Sequence, residues 1–203
     1  MSTTEESAIA APVLPVADPA PLGLAGFALT TFLLSAFNAH LTRGGGAGWL
    51  PFALAYGRIA QLLAGMWEFR NRNVFGSTAF GTYGSFWIGL FFFFRFVAPG
   101  AGENVANDLG WILLAFAIFN TYMLIASTQT NVAVFGVFLT LEVTEIVLFI
   151  GFFSDSVNII KVGGYVGILT ALVAWYASAA GVLAGMNGNL VLPVGKPLMN
   201  IGR

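Results

Sequence analysis

Residues 132–153 read VAVFGVFLTLEVTEIVLFIGFF, an apolar run without proline whose only charged members are Glu142 and Glu145. Its length matches the roughly 20 residues that carry a helix across the hydrocarbon core of a bilayer. It lacks the alternation of polar and apolar residues that marks a strand of a transmembrane barrel. Five further stretches of this kind lie around it, at about 21–42, 49–67, 79–98, 109–128 and 162–185. A chain segment in lipid must satisfy its backbone hydrogen bonds internally, so these stretches are read as helices. The expected fold is all-α: a polar tail over 1–20, one six-helix transmembrane domain over 21–190, and a short C-terminal tail over 191–203.

Composition narrows the function. Of 203 residues 58% are hydrophobic and 8% charged, whereas soluble domains carry roughly a quarter charged residues; the mean hydropathy is +0.84. A net charge of -1 with no cluster of Lys or Arg excludes nucleic-acid binding. The absence of cysteine rules out disulfides and thiolate chemistry, and a single histidine, His40, rules out a multi-His metal site within one subunit. His40 is also the only histidine that could serve an intramembrane serine protease, and no G-x-S-G follows a helix start, so neither an enzyme nor a cofactor is expected. The tail holds Glu5, Glu6 and Asp18 among Pro12, Pro15 and Pro19 and lacks the basic start of a cleavable signal peptide.

An even number of spans gathers Arg70, Arg72, Lys196 and Arg203 on one side, and Arg43, Arg95 and Lys161 on the other beside Glu103, Asp108 and Asp155. The Arg70/Arg72 pair sits in a short loop, where basic residues count most, so both termini are placed in the cytoplasm. The small residues Gly163, Gly167, Gly181 and Gly185 recur at spacing four and are read as intramolecular helix packing in preference to a subunit contact. The Phe-rich stretch 75–94 and the run 132–153 offer bulky surface to lipid or a neighbouring subunit.

Intramembrane acids are functional candidates by default. Glu145 follows Leu141 by four residues and shares its helix face, so it, with Glu142, is a candidate for proton coupling. Arg58 or a neighbouring subunit is the candidate to neutralise one of them. His40 reads as an interfacial polar residue, and Glu68, Arg70 and Arg72 as an ion pair or a topology signal without a substrate role.

Three motifs are more specific. The segment DPAPLGLAGF, Asp18 to Phe27, resembles the N-P-A-P-L-G-L signature of the acetate uptake transporter family, with Asp18 in place of the leading Asn. FGSTAFGTYGSFW, Phe75 to Trp87, is similar to that family's F-G-x-T-A-F-x-x-Y-G-S-F-W block, and YGRIAQ, Tyr56 to Gln61, with Glu68 is similar to its Y-G-x-x-A-Q and terminal Glu. The resemblance spans about residues 18 to 193. It implies a six-helix protomer, usually in a hexamer, with a path for acetate through each protomer. It also implies an apolar constriction of a Phe, a Tyr and a Leu, which fall here on Phe27, Tyr83 and, from VFLTL, Leu141; Ala174 falls where a small residue affects substrate size.

A carboxylate loses hydration at an apolar ring, so such a constriction favours small, singly charged or protonated solutes. Thr30, Thr31, Asn38, Gln61, Ser77 and Thr78 are the candidates to replace water beside it. The expected partners are acetate and other short carboxylates (succinate, propionate, lactate, formate), protons, membrane lipid and further copies of the chain. A passive channel and a proton-coupled carrier both remain open. The alternative is a membrane sensor or scaffold that keeps the fold without flux, against which the intact Phe27, Tyr83 and Leu141 set argues.

Overall fold

The computed structural model describes residues 16–43, 48–189 and 191–199, so Glu5, Glu6, Pro12, Pro15 and Arg203 lie outside the described residues. All regular structure among the described residues is helical. Helix α1 runs Ala20–Asn38; α2 (Trp49–Phe52), a π-helical stretch (Ala53–Ala60) and α3 (Gln61–Arg70) follow one another without a break. Helix α4 (Val74–Phe92) continues through a second π-helical stretch (Phe93–Val97) into α5 (Ala98–Ala101), and α6 (Asn104–Ser127), α7 (Val132–Phe153) and α8 (Val157–Asn187) complete the chain.

Polar residues beyond the apolar cores set the ends. The Asn73 and Asn131 side chains accept the Gly76 and Val134 N–H groups at 3.0 Å, satisfying donors that a helix start leaves free. Capping thus starts α4 at Val74, several residues ahead of the apolar stretch expected from 79. Helix α1 stops at Asn38 and not at 42, because His40 takes a positive φ of 57° in the turn that follows. At the start of α1 the Asp18 carboxylate accepts the Ala20 N–H at 2.9 Å, with Pro21 in the first turn, where no backbone donor is needed.

Among the described residues five helical segments are long and apolar enough to cross a membrane: α1, Val74–Ala101, α6, α7 and α8. The expected second span instead divides into α2, the π stretch and α3, and carries Arg58, Gln61, Glu68 and Arg70. Large apolar side chains such as Ile118, Ile125, Tyr165 and Leu169 are more than half exposed around the bundle, a surface suited to lipid.

Helix α8 lies along α1 and α7, α6 along α7, and α3 along α4, while α1 also meets the first π stretch and α3. Glycines set the closest approaches. A Cβ on Gly164 would lie 2.7 Å from the Ser35 carbonyl oxygen of α1, and one on Gly163 would lie 2.6 Å from Leu148 of α7. Gly181 faces Pro21, whose carbonyl also accepts the Ser178 hydroxyl at 2.7 Å, whereas nothing lies within 4 Å of a Cβ on Gly185. Residues 191–199 are tied down: the Val194 carbonyl accepts the Ala133 N–H, and the Leu198 and Met199 N–H groups donate to the Thr128 carbonyl.

Candidate functional site

Helices α1, α4 and α7 line three cavities in sequence, and all three pass the cavities in the same order. The first, about 210 Å³, is bounded by Leu24 and Phe27 of α1, Ala79, Phe80 and Tyr83 of α4, Val134 and Phe138 of α7, and Gln61 and Glu68 of α3. The second, about 40 Å³, lies among Phe27, Thr31 and Ser35, Tyr83 and Trp87, and Leu141, Thr144 and Glu145. The third, about 640 Å³, takes Leu34, Asn38, Phe86, Leu90, Leu148 and Phe152 from the same helices and reaches His40. Each helix advances from the first cavity to the third as its residue numbers rise, so α1, α4 and α7 run parallel.

Phe27 and Tyr83 border both the first and the second cavity. Their rings meet edge to face with centroids 5.6 Å apart, the favoured geometry for an aromatic pair. Leu141 is buried in the same apolar cluster, as is Ala174 of α8. The three residues expected to form a constriction therefore come together from three helices, Phe27 and Tyr83 between the two cavities and Leu141 at the second, while Ala174 lines neither. Gly23 and Gly26 permit it: Gly23 sits against the Phe80 ring and Gly26 against the Tyr56 carbonyl, so α1 lies close to α4 and the π stretch.

Behind the aromatic pair runs a polar chain. The Tyr83 hydroxyl lies 3.0 Å from Asn120 Oδ1 and 3.3 Å from Glu145 Oε1, two acceptors for one hydrogen. Asn120 Nδ2 donates to the Phe138 carbonyl at 2.9 Å and to Glu142 Oε2 at 2.7 Å, while the single Thr121 hydroxyl hydrogen has two acceptors, Glu142 Oε1 at 2.8 Å and the Ala117 carbonyl of its own helix at 2.9 Å. Glu145 is buried and its Oε2 has no partner. Glu142 is thus satisfied by neutral donors on α6. Arg58, expected as a neutralising partner for one of the acids, instead places its guanidinium over the Phe92 ring, 5.5 Å from the centroid.

The remaining candidates divide. Thr31, Asn38 and Gln61 line the cavities, and Gln61 Oε1 is buried without a partner. Thr30 and Ser77 are buried, but their hydroxyls donate back to carbonyls of their own helices, Gly26 and Val74, a common habit of helical Ser and Thr. Neither Ser77 nor Thr78 lines any of these three cavities. Asn120 is fully buried and central to the polar chain, and sequence reasoning passed over it. Its signal was present, a lone amide inside the apolar stretch FAIFNTYM. Glu68, set aside as a topology signal, is also fully buried and faces the first cavity.

Comparison with known proteins places this arrangement. Ammonia transport outward protein 2 of Saccharomyces cerevisiae is 36% identical over 196 residues, covering 90% of this chain and 67% of that protein. Acetate permease A of Emericella nidulans is 36% identical over 201 residues, covering 88% and 65%. The succinate-acetate/proton symporter SatP of Escherichia coli K12 is 35% identical over 182 residues, covering 89% and 96%. The chain therefore spans about two thirds of the length of these fungal relatives and nearly all of the bacterial one. A solved structure, that of the bacterial acetate channel SatP, superposes with a TM-score of 0.83 at 35% identity over 89% of this chain and 100% of that one. With residues 2–197 matching its defining pattern, the chain is a multi-pass membrane protein of the GPR1/FUN34/yaaH family.

Proposed function

We propose that the chain moves acetate and related small carboxylates across a cell-limiting membrane, through the line of cavities between α1, α4 and α7. The observation that carries this reading is the Phe27–Tyr83 pair, buried between two cavities with Leu141 and Ala174 in the same cluster. It is supported by relatives named acetate permease A and succinate-acetate/proton symporter SatP. A carboxylate sheds water at an apolar ring at a cost that rises steeply with charge, so a monoanion or a neutral acid passes more readily than a polyanion. Thr31 and Asn38 beyond the pair and Gln61 before it stand where a shed hydration shell needs replacing.

Six spanning segments fit this reading. Parallel α1 and α4 require the chain to return between Asn38 and Val74, and Trp49–Arg70 is the helical run available for that return. Both termini then lie on one side, which the Arg70/Arg72 pair assigns to the cytoplasm. The hexamer follows from family resemblance alone, and native mass spectrometry tests it.

Glu145 is the proton-coupling candidate with most support. If the single Tyr83 hydrogen serves the nearer acceptor, Asn120, the 3.3 Å contact to Glu145 lacks one unless Glu145 carries a proton. The test is uptake of labelled acetate into liposomes holding the purified protein, compared with protein-free liposomes because undissociated acetic acid crosses lipid alone. Flux above that control, competed by other short carboxylates, is the expected result; none at all favours a sensor or scaffold.

A further inference from the structure

The first cavity contains a charge arrangement that the transport reading leaves unused. Glu68 of α3 is fully buried; among the described residues no donor meets its carboxyl oxygens in hydrogen-bond geometry, and the neutral Asn71 and Asn73 side chains are the polar groups beside it. Gln61, two turns earlier on the same helix, is also buried and presents an unpartnered Oε1 to the same cavity. Glycine at position 76 makes room for the carboxyl: a Cβ there would lie 2.6 Å from Glu68 Oε1. The acid is held in place by packing, in the path that leads to the Phe27–Tyr83 pair.

Among the described residues no cation offsets it from the elements around it, and Lys196, on the segment that meets the start of α7, is exposed. Helices α1 and α4 carry no charged residue within their bounds, and Asp18 just before α1 is acidic. From the π stretch, Arg58 is engaged over Phe92; Arg70 and Arg72 are exposed beyond the end of the cavity. Tyr83 is the other titratable group lining the cavity; Glu145 lines the second cavity, and Glu142 lines neither and is bound to Asn120 of α6. A carboxyl buried without a partner is stable as the neutral acid or with a donor that enters from solution.

We propose that Glu68 is a pH-sensitive admission gate for the carboxylate path: as the neutral acid it lets a monocarboxylate into the first cavity, and as the carboxylate it repels one. The proposal rests on the transport reading and adds a residue that sets when the path is open. It gives a sign. Flux through the wild type falls as pH rises, because ionised Glu68 places a like charge on the route of the anion. Two unit charges roughly 10 Å apart at an effective dielectric of about 20 repel enough to lower occupancy about tenfold.

The experiment measures exchange of labelled acetate across proteoliposomes at equal internal and external pH, from acidic to alkaline, with the protein-free leak subtracted at each point. Wild-type exchange is expected to fall about tenfold across the range. Glu68→Gln cannot ionise and is expected to decline less steeply, so that it exceeds the wild type at alkaline pH, and Glu68→Asp is expected to restore the decline. A structural role for Glu68 does not produce a gain at alkaline pH. Should Glu68→Gln fold poorly, Gln61→Glu adds a second acid to the same cavity and is expected to steepen the decline. Superimposed profiles for wild type and Glu68→Gln, or an unchanged profile for Gln61→Glu, overturn the gate. Absence of protein-dependent exchange in the wild type at every pH is a different result, and it removes the transport reading together with the gate.

Discussion

Replacing Asn120 with leucine removes the centre of the polar chain while keeping the branched skeleton of the side chain. The amide makes three hydrogen bonds, to Tyr83, to the Phe138 carbonyl and to Glu142. Interhelical hydrogen bonds in membrane proteins contribute about 0.6 kcal/mol each on average, so Asn120→Leu is expected to destabilise the protein by about 2 kcal/mol. A double-mutant cycle isolates the bond nearest the constriction. Tyr83→Phe deletes only the hydroxyl, and the double variant should fall short of the sum of the single effects by about 0.6 kcal/mol. The assay is reversible unfolding in mixed micelles titrated with a denaturing detergent, followed by tryptophan fluorescence. Strict additivity, or an Asn120→Leu effect below ~0.5 kcal/mol, refutes the view that the amide anchors the aromatic pair.

Leu141→Ala opens space beside the second cavity and is expected to raise uptake of lactate relative to acetate several-fold; an unchanged ratio in competition assays removes Leu141 from the constriction. Glu145→Gln is expected to abolish stimulation of acetate uptake by an inward proton gradient while preserving downhill flux, measured in the same vesicles with and without the gradient. Gly164→Val drives a branched side chain into the Ser35 carbonyl and should destabilise the α1–α8 contact by about 1–3 kcal/mol, as overpacking does. Gly185→Val, with nothing nearby, should be close to neutral in the same unfolding assay.

The helices were legible because a bilayer demands long apolar runs, and α6, α7 and α8 stand out on hydropathy alone. The Trp49–Arg70 run was harder to place: its buried face carries Gln61 and Glu68, groups that serve a cavity and lower the apolar signal. Motif resemblance located Phe27, Tyr83 and Leu141, which the fold then brings together. Resemblance did not single out Asn120, since one amide among apolar residues acquires meaning only when Tyr83, Phe138 and Glu142 arrive from other helices. For Thr30 and Ser77 the residue types allowed donation to a solute, but the local helix backbone claims both hydroxyls. Such competition between near carbonyls and distant partners is not encoded in residue type.

The first π-helical stretch, Ala53–Ala60, carries a consequence for chain length. A π turn accommodates one residue more than an α-helical turn, and each residue of an α-helix rotates the face by about 100°. Deleting a single residue between Ala53 and Ala60 would let the helix relax to regular winding with Trp49–Phe52 and Gln61–Arg70 nearly keeping their facing, because the turn loses the residue it held in excess. The same deletion inside a regular helix turns one flank against the other by about 100°. Single-residue deletions scanned along the chain should therefore be better tolerated here than inside α6, α7 or α8, with the cavity-facing pair Gln61 and Glu68 left in place.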